Sequence, residues 1–326
     1  MFSSKSKHSL ALALCLLIGL TSCATRGFQE EPEIPCKWHT PLEKGISDDP
    51  VSFLWLEALH DPVLMELVEQ VMSRNNDIRL ARLQCKGLSE TINSVVAETA
   101  KSYIELRGLQ QRSKILQESI DVQQKITVLE EGLSESYISA IDQNESKKNL
   151  EGFFVQKSLT DLSLKKVIFR LSTLLSYPPG ELNECLIQSG ELPQLPCQIP
   201  IGLPIELLAR DCGVQDLKNL YLKTSSDQAF YPYQKQILTV LEEAENALAA
   251  FYYSLEKTVH LANSKKLKEE SYQFVKDLYE QGIKDERDVL TAHLELLSQE
   301  SSLIDAKSEL LLNYITLYKS LRGFAP

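Results

Sequence analysis

The sequence lacks, first, any constellation that could carry catalysis or hold a metal. Its seven cysteines and five histidines form no CxxC or HExxH pattern, which excludes a zinc site of the usual ligand spacing. No GxSxG elbow, phosphate loop or dinucleotide fingerprint occurs. Acids that recur along one stretch, such as Glu242, Glu243 and Glu245, read as a solvated helix face and not as a convergent acid–base pair. No catalytic residue, cofactor-binding residue or metal ligand is therefore assigned, and the chain is expected not to be an enzyme. Positive charge is also short: 34 Lys and Arg stand against 45 Asp and Glu, a net charge of -11, with no basic cluster. That balance argues against a nucleic-acid partner. The apolar run from Leu10 to Leu20 holds about eleven residues, where a membrane-spanning helix needs about 20.

That run has a different reading. Lys5 and Lys7 precede it and Leu20-Thr21-Ser22-Cys23 follow it, which is the order of a cleaved secretory signal. The last four residues resemble a bacterial lipobox, implying cleavage before Cys23 and acylation of Cys23, palmitate included. The alternative is an ordinary signal peptide with an incidental cysteine. Ala24, in place of an acid after Cys23, resembles lipoproteins sorted to the outer membrane. Five cysteines then remain, Cys36, Cys85, Cys185, Cys197 and Cys212, and an oxidising compartment leaves a Cys185 to Cys197 bridge open. Residues 1–22 are read as signal, and 23–50, with Pro32, Pro35 and Pro41 and no periodicity, as an anchor and poorly packed tether.

The rest is a repeat of helices. Asp61-Pro62 can cap and start a short helix carrying Leu64, Leu67, Val68 and Val71 at helical spacing. Setting residue n against n+150 pairs Ala100 with Ala250, Tyr103 with Tyr253, Gly132 with Gly282, Leu162 with Leu312 and Leu171 with Leu321 without a gap, the mark of an old duplication. Each copy holds a long helical hairpin: 51–190 with its tip near Gly132, and 191–326, including the connection, with its tip near Gly282. Heptad spacing runs through Leu290, Leu294, Leu297, Ser301, Ile304, Ser308, Leu311, Ile315 and Tyr318, with a second apolar row at Leu296, Leu303, Leu310 and Leu317. Its partner seam is read as Leu248, Phe251, Leu255, Val259 and Ala262, continued by Phe274, Leu278 and Ile283. Two rows on one helix cannot both be buried in an isolated hairpin, so sideways packing into a ring of subunits is expected. A four-helix bundle within one subunit is the alternative. At the second tip, Gly282 permits a left-handed turn and Asp285 can cap the next helix, with Asp288 in its first turn. The expected class is all-α, two long antiparallel coiled-coil hairpins plus short helices.

Trp55, Leu59, Asp61-Pro62, Leu64, Leu67 and Asn76-Asp77-Ile78 resemble the opening of the outer membrane factor (TolC-like) family, in its efflux-lipoprotein branch. Glu98 through Leu106, Leu174-Leu175-Ser176-Tyr177-Pro178-Pro179-Gly180 and the proline-marked connection from Leu192 to Leu208 extend the resemblance along nearly the whole chain after the signal. It implies a homo-oligomer, trimeric in that family, at the outer membrane and facing the periplasm. It also implies a periplasmic adaptor and an inner-membrane pump as partners. Tyr279, Gly282, Asp288, Val289 and Leu290 match the family's tip motif and, with Gly132, are the candidate docking residues. The first tip departs, with Leu129 where the family has an aromatic residue, and a plain helical turn is the alternative for either. The larger departure is in what is missing. The family carries two membrane strands in each half, yet Ala81–Leu88 runs almost directly into Val95, and only Thr224 to Pro232 separate two helical stretches in the second half. A membrane strand needs about 9–11 residues, so no transmembrane β-barrel is expected. Two functions follow: the helical periplasmic part of a tripartite-type transport assembly, or a barrel-less scaffold. In a lipid-labelling experiment, the chain should incorporate palmitate and the Cys23→Ser variant should not; equal incorporation would refute the assignment.

Overall fold

A computed structural model describes residues 32–52, 54–84, 87–132, 140–179 and 190–323. The signal segment, Cys23, Cys85, Cys185 and the first turn at 133–139 lie outside them. Residues Pro35–Pro326 form one compact unit. Its strands, among the described residues, are β1 (Ile46–Ser47) and β2 (Ile199–Pro200), two residues each and paired in parallel. Its helices are α1 (Pro62–Arg74), α2 (Asn76–Gln84), α3 (Leu88–Gly132), α4 (Ala140–Leu174), α5 (Pro204–Arg210), α6 (Cys212–Thr224), α7 (Asp227–Glu280) and α8 (Glu286–Ser320). None of the described helices is long and apolar enough to cross a membrane.

The long helices pack side by side in the order α4, α3, α8, α7. Each neighbour is antiparallel. Lys157 Nζ donates to Ser113 Oγ across α4 and α3 (2.8 Å), and Arg112 pairs with Asp305 across α3 and α8 (3.0 Å). Lys257 meets Glu309 across α7 and α8 (2.7 Å). At the α3–α8 crossing Gly108 faces Ser308: a Cβ on Gly108 would lie 2.3 Å from Ser308 Oγ and 3.2 Å from its Cβ, so any side chain at 108 would require the Ser308 side chain to move. At 54 residues, α7 is about 80 Å long, far beyond what helix propensity sustains without packing.

This order corrects the expectation about apolar rows. Because α8 lies between α3 and α7, it buries one row against each neighbour inside a single subunit. Leu297 joins Val122 and Ile126 of α3 in one cluster, with Leu290, Leu294 and Ile115 at its margin, and Leu310, Leu311, Tyr314, Ile315, Leu317 and Tyr318 are buried. The unpaired rows are on the edge helices instead. On α4, Val155, Leu159 (59% exposed), Leu162 and Phe169 follow heptad spacing and face outward. On α7 the expected seam holds at Leu248 and Phe251, which are buried, but Val259, Ala262 and Phe274 (64% exposed) are exposed, as is Ile283 in the turn beyond it. The outer half of the α7–α8 contact is built from Lys265 with Glu300 (3.4 Å), Lys268 with Glu295 (2.7 Å) and a Tyr272–His293 stack (5.1 Å). Lysine stems cover apolar surface while their heads pair at its margin, so charge replaces the heptad there.

The end away from the tips is held by aromatic and capping contacts. Trp55 stacks on Tyr318 (5.1 Å between centroids) and meets Tyr314 edge-on (5.7 Å). The Tyr314 hydroxyl donates to the Trp55 carbonyl (3.0 Å) and that of Tyr318 to the Pro200 carbonyl (3.1 Å), so α8 ties the N-terminal segment to the proline-marked connection. Asp61 caps α1, Oδ1 accepting from the amides of Val63 and Leu64 (3.0 Å each), while Oδ2 accepts from the Tyr103 hydroxyl (2.7 Å). The tether is shorter than expected. Trp38 is buried and donates to the Gly202 carbonyl (2.7 Å), Thr40 Oγ1 donates to Glu245 (2.8 Å), and Ile46 and Val51 are buried. Cys36, Cys197 and Cys212 are free, exposed thiols.

The two junctions at which the resemblance implies membrane strands are short. Three residues, 85–87, separate α2 from α3, and Ser225 and Ser226 alone separate α6 from α7. Helix α7 begins earlier than the sequence predicted, at Asp227, and takes Pro232 inside it. Neither connection has room for a strand of about 9–11 residues.

Burial of Tyr103 pushes its pKa up to about 12, with Asp61 adding to the shift and Arg107 opposing it. Burial likewise raises Tyr314 and Tyr318. A tyrosine that holds its proton more tightly when folded stabilises the fold below its unfolded pKa of about 10 and loses that contribution as pH rises through the folded value. The denaturation midpoint should hold up to about pH 10 and fall towards pH 12, and Tyr103→Phe should start lower and fall less steeply; an unchanged slope would contradict this.

Candidate docking tips and edge faces

Of the predicted tip residues, Gly282 has the geometry its sequence position implied. Its φ is +72°, a conformation that costs any L side chain roughly 1–2 kcal/mol. Its amide donates to the Tyr279 carbonyl (2.9 Å), and those of Ile283 and Lys284 to the Leu278 carbonyl (2.9 and 3.3 Å). The last carbonyls of α7 are thereby satisfied and the chain reverses. Asp285 then caps α8: its Oδ1 accepts from the Asp288 amide (2.9 Å) and Asp288 Oδ2 accepts from the Asp285 amide (3.4 Å), a reciprocal capping box. Lys284 adds an ion pair to Asp288 (3.1 Å).

The structure divides the candidate residues into two groups. Tyr279 and Ile283 are exposed, and with Gly282 they form the free surface of the tip. Asp288 is engaged in the cap, and Leu290 packs at the margin of the Val122, Ile126 and Leu297 cluster, with Val289 half-buried beside it. Gly132 differs from Gly282. It is the last residue of α3 and is not among the glycines with positive φ, and the turn it leads into lies outside the described residues.

One tip contact could not be read from the sequence. Arg287 Nε donates to Glu130 Oε1 (2.7 Å), and Glu130 is only 2% exposed. A carboxylate buried this far needs a cation, and this one lies 157 residues away in the other repeat. Nearby, Gln143 Nε2 donates to the Glu130 carbonyl (3.0 Å). Deeper in the hairpin, Gln123 Nε2 donates to Ser146 Oγ (2.9 Å), and Thr127 and Ser146 share a hydroxyl contact (3.1 Å). The tips of the two repeats are thus joined by charge where apolar packing thins out. Among the described residues no group of His, Cys, Asp and Glu could hold a metal ion.

Residues 222–322, from the end of α6 through α8, match the family model of the outer membrane efflux proteins. Over that stretch the chain is similar to the outer membrane efflux proteins. Its fold is similar to that of the outer-membrane channel OprN, at 19% identity over 92% of this chain and 99% of that one, with a TM-score of 0.72. The MtrE outer membrane channel of Neisseria gonorrhoeae, in its open state, matches at 14% identity, 92% and 98% coverage and a TM-score of 0.66. The CmeC outer membrane channel of Campylobacter jejuni matches at 14%, 92% and 95%, and 0.64. No curated protein matches by sequence.

Replacing Arg287 by Ala should cost about 1–3 kcal/mol, below the figure for a fully buried pair because Arg287 itself is half exposed. Amide exchange should accelerate in the last turns of α3 and the first of α8, and Arg287→Lys should restore part of the loss. Unchanged exchange at both tips would show that the ion pair does not hold them together.

Proposed function

We propose that the protein is a lipid-anchored, helical component of an efflux or export assembly, held at the outer membrane through Cys23 and facing the periplasm. It works as a homo-oligomer, a trimer by its family resemblance, in which α4 of one protomer packs beside α7 of the next. The observation that carries this reading is the pair of open edges. Four long helices in a row leave apolar heptad faces at Val155, Leu159 and Leu162 on one side and Val259, Leu267 and Phe274 on the other. Large apolar side chains that recur along an exposed helix edge mark an interaction surface, and a closed ring would bury both edges with a single kind of contact.

In this arrangement the hairpins line or brace a periplasmic duct, a passive role. The exposed tip at Tyr279, Gly282 and Ile283, with the counterpart at Gly132, meets a periplasmic adaptor and through it an inner-membrane pump. Asp288 and Leu290 hold that tip in shape, and Val289 lies between them. The closed junctions after α2 and α6 support a second reading, in which the ring is a scaffold that conducts nothing. An open sheet cannot sit in lipid and the described helices do not span it, so any pore would belong to another protein.

The mature protein should sediment as a trimer, and Leu159→Asp with Leu162→Asp should give monomers with unchanged helix content. A monomeric parent would overturn the ring. Adaptor copurification that is lost on changing Tyr279 or Gly282 supports transport, and an adaptor that never binds supports the scaffold. Reproducible pores from the purified protein in planar bilayers would overturn the absence of a barrel.

A further inference from the structure

Helices α3 and α7 both run antiparallel to α8, so they are parallel to each other and start at the same end. That end carries the α2–α3 and α6–α7 turns and lies opposite the tips. It also holds the most exposed leucine among the large exposed apolar side chains: Leu83, one residue before the end of α2, is 83% exposed. Leu222, near the end of α6, is 61% exposed, and Leu80, Leu220 and Tyr231 are exposed beside them. Each leucine has a basic residue one helical turn earlier on the same face, Arg79 before Leu83 and Lys218 before Leu222. Both repeats therefore end in the same pattern, an apolar point over a cation.

The charge of this end runs against that of the chain. The described residues 76–84, 87–90 and 212–235 hold five Lys and Arg against four Asp and Glu, a balance of +1, whereas the whole chain stands at -11. Apolar side chains beside cations on an otherwise acidic surface fit a bilayer with anionic headgroups, where leucines enter the interface and basic side chains reach the phosphates. The length of the tether fits as well. From Cys23 to the buried Trp38 the chain can extend about 50 Å, while Glu245, which holds Thr40 (2.8 Å), lies about 27 Å along α7 from its start. A lipid on Cys23 can therefore reach a membrane lying against the turns.

We infer that this end docks on the surface of an anionic phospholipid leaflet through Leu83 and Leu222, with Arg79 and Lys218 behind them. The inference rests on the outer-membrane reading and supplies a second, non-covalent hold beside the lipid. Docking fixes the axis of the helices across the periplasm and aims the tips away from the membrane.

The test uses the chain from Ala24 onward, which keeps the whole compact unit and carries no lipid. It should float with phosphatidylethanolamine–phosphatidylglycerol vesicles and poorly with phosphatidylcholine, and binding should weaken as salt rises. Leu83→Asp with Leu222→Asp should lower binding at least about tenfold, whereas Ile283→Asp at the tip should leave it unchanged. Both changes lie on exposed positions, and circular dichroism reads out the fold. Failure to float, or a double variant that floats like its parent, would overturn the docking. Because the probe carries no lipid, failure here leaves acylation at Cys23 standing, and loss of palmitate labelling leaves this result standing.

Discussion

The structure depends on the contact between α3 and α8. These two helices come from different repeats and meet where Gly108 faces the Ser308 side chain. Once they are joined, their outer neighbours are determined by chain connectivity: α4 follows α3 through the first tip, and α7 precedes α8 through the second. Four helices then lie in a row with two inner and two outer members. Inner helices bury apolar surface on both sides and outer helices on one. The apolar faces left on α4 and α7 are therefore a geometric consequence of the row, and they ask for a neighbouring copy.

The energetics change along the length of the row. Near the end away from the tips the contacts are large and aromatic, with Trp55, Tyr314 and Tyr318 packed together and Asp61 shared between a helix cap and Tyr103. Toward the tips the apolar cluster shrinks to Val122, Ile126 and Leu297, and ion pairs take over. Ion pairs at a half-exposed surface contribute little each, so the tips are the part of the unit that opens most easily. The opposite end has no barrel in its two closed turns, and what remains is apolar and basic.

Much of this was legible in the sequence because it is local. Helix phase, the Asp61-Pro62 start, the Gly282 turn and the Asp285–Asp288 cap each depend on residues within a few positions of one another. The missing strands were legible for the same reason, since no sequence of sufficient length stands at either junction. Gly132 shows the limit: it pairs with Gly282 in the repeat, yet it stays helical, because glycine permits a left-handed turn without requiring one.

What the sequence by itself determined is that this chain forms two long helical hairpins of one repeated design, with short connections leading into the first helix of each. Hydrophobic period and chain length suffice for that. Only the tertiary structure decided which apolar row is buried, and it sent Val259 and Phe274 outward while burying both rows of α8. It also placed Arg287 on Glu130, and it packed Trp38 where an extended tether was expected. The physical reason is common to all three. A row of apolar residues says that a face seeks a partner, and a buried carboxylate that it seeks a cation, but the identity of the partner depends on which helices become neighbours across more than a hundred residues of chain.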